Sequence, residues 1–434
     1  MSLLLEQNRR KREAQVLIIG LIFANLAVWV QGCSTDERFQ TLRKRLGHKP
    51  EKGLAIQHVR VFDSETATVR DGQTVVVVGE HIEAVEADKT VKIPTDSEVI
   101  DGNGKTVLPG LFDMHAHLQP SAGLPYIASG VTTVRDLGNM MDRLLAMKHA
   151  WDSDGEIGPR ILMAGAINGR RGKGELVTTE EEAKTVVDRY KGAGYIQTKI
   201  LSDIKPELVP YIVRVSHAQG MRVSGHVPEG MKAQQFVHDG VDEIQHMNYV
   251  FRNFSPSGDR MAAEEAEEGA RLDVNSQPVT DFINLLKQKG IVLDPTMNVF
   301  ENKYGRRGGA SQKYYEAMTH MLKRLFDTGV PLVIGTDAPK LPGLSLHHEM
   351  EIWVSAGIPA PKVLQIATIG AARVMKVDRE TGSVRAGKKA DFVLVDGDPT
   401  QNISDVHKCR VVLKNGVVYH SADVYQAAST NPIN

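Results

Sequence analysis

Leu108-Pro-Gly-Leu-Phe-Asp-Met-His-Ala-His-Leu118 joins an apolar run to a pair of histidines. Val107, Leu108, Leu111 and Phe112 predict a buried strand that leads without a break into His115 and His117. Side chains two apart on a strand share a face, so both imidazoles reach one point while Ala116 turns away. That is the geometry of a metal pair. On its own a His-x-His is a weak signal, because most such pairs are surface or core histidines. It gains force if more ligands arrive on later strands.

The region that follows alternates buried strands with helical patterns. After the opening strand, strands are predicted at 131–137, 160–167, 195–201, 221–226, 243–246, 291–297 and 331–336, which makes eight. Helical patterns at 180–191, 205–219, 279–289 and 311–328 lie between several of them, and 346–356 and 361–374 close the series. Strand count and alternation predict a closed (β/α)8 TIM barrel, an α/β fold, over 108–375.

Short β-rich segments flank the barrel at 55–62, 74–78, 82–85 and 98–100, and again at 391–395 and 410–419. The last contains Asn415-Gly416, a hairpin turn. The two ends, 53–107 and 376–425, are expected to pair into one small composite β-sandwich domain. The stretch 251–277 is long for a strand-to-helix connection. Its Glu264, Glu265, Glu267 and Glu268 read as a solvated helical excursion or as a lid over a site.

Chemistry in such a barrel collects at the C-terminal ends of the strands. Strand one ends in His115 and His117, strand four carries Lys199, strand five ends in His226, strand six in His246 and strand eight in Asp337. Any one of these histidines alone would be read as a satisfied core residue. Together they place so much polarity at equivalent depths that burial without a ligand would cost several kcal/mol.

These residues resemble the amidohydrolase superfamily, in its imidazolonepropionase-like and prolidase-like branch. The resemblance spans roughly 53–419. It rests on Pro109-Gly-Leu-Phe-Asp-Met-His-Ala-His117, on Gly335-Thr-Asp337, and on Ala367-Thr-Ile-Gly-Ala-Ala-Arg373 followed by Gly382-Ser-Val-Arg-Ala-Gly-Lys-Lys-Ala-Asp391. It implies a hydrolase of amide-type C–N bonds in a dipeptide, an N-acyl amino acid or a cyclic amide, holding two divalent metal ions, expected to be zinc. His115 and His117 with Asp337 would hold one metal, and His226 and His246 the second. Lys199 would be carboxylated and bridge both, because a carbamate is an anion with an oxygen for each cation whereas an ammonium repels them. A hydroxide shared by the metals would attack the substrate, with Asp337 as general acid and base. A lactonase or phosphotriesterase, or a single-metal deaminase, is the alternative on the same barrel.

Substrate contacts are less defined. Tyr249, three residues after His246, is placed to hydrogen-bond a substrate carbonyl or carboxylate, or else is a half-buried loop tyrosine. After strand three, where prolidase-like relatives carry a histidine in a Gly-rich loop, this chain has Ile167-Asn-Gly-Arg-Arg-Gly-Lys-Gly174. Arg170, Arg171 and Lys173 there, with Lys303, Arg306 and Arg307 after strand seven, are cations suited to a carboxylate, though most such charges are merely solvated. His347 and His348 are expected to pack or cap a helix start instead of binding metal.

The chain has 434 residues and a net charge of -1, which gives no argument for a nucleic-acid partner. Two cysteines, Cys33 and Cys409, exclude a disulfide framework. Arg9, Arg10, Lys11 and Arg12 precede an apolar run at 16–30, shorter than the roughly 20 residues a spanning helix needs. Val30-Gln31-Gly32-Cys33 resembles a bacterial lipobox. Residues 1–33 therefore read as a signal segment with lipid attachment at Cys33, or as an uncleaved membrane anchor, and 34–52 as a tether. Both place the barrel on a membrane, outside the cytoplasm. The partner is a small-molecule substrate; a homo-oligomer is allowed but not specified.

Overall fold

The computed structural model describes residues 46–255 and 262–430. The expected signal segment, Cys33 and most of the tether lie outside them. Among the described residues no helix is long and apolar enough to cross a membrane.

Both chain ends build one nine-stranded sheet. From the N-terminal side come Gly47–His48, Leu54–Asp63, Thr68–Val78, His81–Ala87, Glu98–Asp101 and Lys105–Pro109; from the C-terminal side come Phe392–Asp396, Cys409–Lys414 and Val417–His420. The two sets meet where Lys105–Pro109 pairs antiparallel along its whole length with Phe392–Asp396. The sheet also turns back on itself, since His81 bridges to Lys389. Alternate residues Leu54, Ile56, Val75, Val77, Phe392, Leu394, Val411 and Leu413 fill the space enclosed. Asn415 and Gly416 both take positive φ, as the two-residue hairpin requires.

The second sheet runs in strict chain order: β1 (Leu111–Ala116), β2 (Val131–Asp136), β3 (Arg160–Asn168), β4 (Gln197–Ile200), β5 (Arg222–Gly225), β6 (Glu243–Gln245) and β7 (Val292–Asp294). Each pairs parallel with the next. The predicted eighth strand is reduced to a single bridge, Leu293 to Leu332. Pro331 has no N–H to give, yet the segment still closes the barrel. Val333 N–H bonds to Leu293, Met114 N–H bonds to the Ile334 carbonyl, and Asp337 N–H bonds to the His115 carbonyl.

The apolar run before His115 is not one strand, as its pattern suggested. It is divided at Gly110, with Lys105–Pro109 in the terminal sheet and β1 in the barrel. A Cβ at Gly110 would lie 2.0 Å from Thr132 Oγ1, so only glycine lets the chain pass β2 at this corner.

The long connection contains a helix, Ala262–Arg271. Glu264 and Glu267 are exposed, as expected, but Glu265 is not solvated: its side chain is 7% exposed. It accepts hydrogen bonds from Asn248 Nδ2 at 3.0 Å and Tyr304 OH at 3.0 Å, and pairs with Arg252 at 3.4 Å and Lys303 at 3.6 Å. Burial pushes its carboxyl up, but Arg252, Asn248 and Lys303 outweigh burial and hold it below its ordinary value. Glu265→Ala would strip several buried donors of a shared acceptor, at a cost of about 1–3 kcal/mol. A lower melting temperature and faster proteolysis of the insertion are expected. A raised KM at unchanged metal content would mark the insertion as a lid, and unchanged kinetics as passive packing.

Candidate metal centre

The site is built from strand ends. His115 and His117 leave β1 and its C-terminal edge, Lys199 lies on β4, and His226 and His246 each follow the last residue of β5 and β6. Asp337 ends the closing segment. Three strand-end residues adopt left-handed φ, His246 at 67°, Thr296 at 48° and Asp337 at 47°. Such conformations cost about 1–3 kcal/mol each and persist where surrounding structure imposes them, typically at functional sites. Asp113, also in the opening motif, braces the closing segment. Its carboxylate accepts from the Thr336 amide at 3.1 Å, the Thr336 hydroxyl at 2.8 Å and the His115 amide at 3.1 Å. Burial lifts its pKa to about 6.

All six expected residues come together. His115 Nε2 lies 3.3 Å from Lys199 Nζ and 3.8 Å from Asp337 Oδ1. His117 Nε2 is 3.3 Å from Asp337 Oδ1, and His246 Nε2 is 4.0 Å from Asp337 Oδ2. His226 Nε2 and His246 Nε2 stand 3.1 Å apart. Ligand atoms of His115, His246 and Asp337 all fall within 4.8 Å of one another. His117 is partly open, with 37% of its side chain exposed.

The donor chemistry fits a cation. His226 Nδ1 faces Ser202 Oγ at 3.1 Å and His246 Nδ1 faces Thr296 Oγ1 at 2.9 Å, so hydroxyls serve the outer nitrogens and leave the inner ones as donors. Two nitrogens on a tetrahedral cation at about 2.0–2.1 Å would sit roughly 3.3 Å apart. Burial, with Lys199 next, pushes His115 and His226 well below the usual imidazole range. Burial also takes His246 down to about 4, against the pull of Asp337. Neutral imidazoles carry the lone pairs a metal needs. Burial raises the Asp337 carboxyl, but its hydrogen bond with His117 and the charges of His246, His117 and Lys199 hold it low.

Lys199 is 1% exposed, and burial lowers it to about 8. Among the described residues its Nζ has one hydrogen-bond partner, His115 Nε2.

Tyr249 is buried, its hydroxyl 2.9 Å from Ser202 Oγ and its ring 5.5 Å from that of His226. Of the loop cations, Arg170 pairs with Asp203 at 2.7 Å, Lys303 with Glu265 at 3.6 Å and Arg306 with Glu301 at 3.8 Å. Arg171 and Lys173 are exposed. His347, in the first turn of the helix Leu344–Ser355, donates its Nε2–H to the Ser129 carbonyl at 2.8 Å, and His348 pairs with Glu301 at 2.7 Å. Sequence reasoning missed Ser202, Thr296 and above all Asp294, whose Oδ2 is 2.7 Å from His115 Nδ1. The only signal for Asp294 was a carboxylate inside an apolar strand.

The pattern that defines the Amidohydrolase family matches residues 106–419, and the chain belongs to that family of hydrolases acting on carbon–nitrogen bonds. It is 22% identical to an imidazolonepropionase of Alkaliphilus oremlandii, over 91% of this chain and 98% of that one. It is also 22% identical to an adenine deaminase of Staphylothermus marinus, over 90% of this chain and 61% of that one. The crystal structure of a Xaa-Pro dipeptidase with methionine bound in its active site shares the fold, with a TM-score of 0.68 at 22% identity, covering 85% of this chain and 100% of that chain.

Proposed function

We propose that this amidohydrolase is a two-metal enzyme cleaving an amide-type C–N bond in a small molecule: a dipeptide, an N-acyl amino acid or a cyclic amide. The observation that carries this reading is Lys199, buried at the centre of the cluster with its Nζ 3.3 Å from a histidine nitrogen. An ammonium there is poorly satisfied. The neutral amine adds carbon dioxide, forming one N–C bond and releasing one proton, and the resulting carbamate supplies the anion that such a centre needs.

In this reading His115, His117 and Asp337 would hold one cation and His226 and His246 the other, and a carboxylated Lys199 would supply the anionic oxygens between them. When bound, two divalent cations, zinc by the donor set, acidify a water and polarise the scissile carbonyl. Asp337 takes a proton from that water at its carboxylate and delivers it to the departing nitrogen, without which the amine is a poor leaving group. Tyr249, stacked beside His226, is the substrate-contacting side chain of the wall.

The test is a panel of dipeptides, N-acyl amino acids, hydantoins and lactones with zinc-reconstituted protein of measured metal content. About two zinc ions per chain and amine release from at least one amide are expected. Turnover of lactones alone would replace the amide reading. A deaminase is the second reading, supported by the adenine deaminase relative. One metal per chain with ammonia release would establish it.

For the N-terminus we propose membrane attachment through Cys33, supported by the basic residues, the apolar run and the lipobox-like Val30-Gln31-Gly32-Cys33. Cys33→Ser is expected to move the protein from the membrane to the soluble fraction or to block processing. Unchanged attachment would favour an uncleaved anchor.

A further inference from the structure

We infer that Asp294 is the positioning residue of this centre, locking His115 in the tautomer that turns its Nε2 lone pair toward Lys199 and Asp337; the inference rests on the two-metal reading above. Asp294 is the last residue of β7, and both it and His115 have no exposed side-chain surface. The 2.7 Å contact between Asp294 Oδ2 and His115 Nδ1 engages the outer ring nitrogen, and the Arg135 guanidinium behind it favours the acceptor form of a carboxyl that burial pushes well above its ordinary range, so the ring proton is assigned to Nδ1. The opposite nitrogen then faces inward, 3.3 Å from Lys199 Nζ and 3.8 Å from Asp337 Oδ1. The same residue also reaches the other half of the site, because the Asp294 carbonyl accepts from the His246 amide at 2.7 Å.

A buried ion pair backs this contact. Arg135 on β2 is gripped by Glu243 on β6 through two bonds, of 2.7 and 2.5 Å, and its Nε donates to the Met114 carbonyl at 2.7 Å. The same guanidinium stands 3.8 Å from Asp294 Oδ2. Glu243, Arg135, Asp294 and His115 thus tie four strands together beneath the cluster. Gly335 makes the fit possible. A Cβ there would fall 2.4 Å from the His115 Cβ and 2.5 Å from Asp294 Oδ1, so a larger residue would push ring and carboxylate apart. Among the described residues Asp294 Oδ1 has no hydrogen-bond partner. A residue needed only to pin two strands could have been apolar at lower cost, whereas a carboxylate behind a metal-binding imidazole fixes its tautomer and raises its basicity.

The experiment compares the parent with Asp294→Asn and Asp294→Ala as full chains. It reads zinc affinity by chelator competition, the visible spectrum of the cobalt(II)-loaded protein, and melting of the metal-free protein. Zinc affinity is expected to fall by about 10–100-fold, more for Ala than for Asn, with an altered cobalt spectrum, while metal-free Asp294→Asn melts within roughly 3 °C of the parent. Nitrogen-15 spectra of histidine-labelled, zinc-loaded parent should also show an Nδ1–H proton, shifted downfield by the carboxylate, that moves upfield in Asp294→Asn. A variant that binds zinc as tightly as the parent, with the parental cobalt spectrum, overturns this inference alone. So does an affinity loss matched by collapse of metal-free stability with no Nδ1–H signal in the parent. A parent that binds no zinc overturns the two-metal reading along with it.

Discussion

Lys199→Ala is expected to lose most of its metal and to fall about 10³-fold in turnover. Two divalent cations a few ångström apart repel by on the order of 15 kcal/mol even at an effective dielectric of about 20. A bridging anion offsets that repulsion, and alanine removes it. The change also relieves the chain of a buried amine that burial holds near 8, so the metal-free protein should fold normally. Melting temperature and metal content separate the two effects. Acetate is expected to restore part of the activity by lying where the carbamate would. A variant with two metals and near-parental turnover would remove the two-metal reading and bring the deaminase forward.

Asp337→Asn is expected to keep much of its metal and lose two to four orders of magnitude in kcat. An amide keeps one oxygen facing His117, 3.3 Å away in the parent, so the ligand geometry largely survives. An amide does not accept a proton at neutral pH, so the transfer from water to leaving nitrogen stops. Metal content should be read beside kcat. Loss of both in proportion would make Asp337 a ligand only, and substrates with good leaving groups should be hurt least if the transfer is its task.

The barrel and the convergence of six side chains were legible because they rest on period and position: recurring strands, five of which carry an expected ligand at the same end. Asp294 was not legible. The apolar pattern continued to 297, but β7 stops at Asp294, because Pro295 has no N–H and Thr296 turns left-handed. Its partner is also 179 residues away, on β1. Gly110 was hidden for another reason: sheet and barrel both demand apolar residues, so a run crossing from one to the other shows no seam. Glu265 looked solvated among neighbouring acids. Its burial comes from Arg252, Lys303 and Tyr304, contributed by segments whose approach no local pattern announces.

The seam at Gly110 bears on how this molecule is made. Lys105–Pro109, covalently continuous with the strand that carries His115 and His117, pairs along its whole length with Phe392–Asp396. The Gly110 amide itself bonds to the Asp391 carbonyl at 2.9 Å. A ribosome must therefore have passed residue 396 before this strand gains that neighbour, and closing so long a loop carries an entropic cost that local contacts do not. A nascent chain halted beyond Asp337 but short of 391 would own every side chain of the cluster and lack the clamp that sets the first two. The strand that carries His115 is thus clamped by residues 391–396, which the ribosome adds only after every side chain of the cluster.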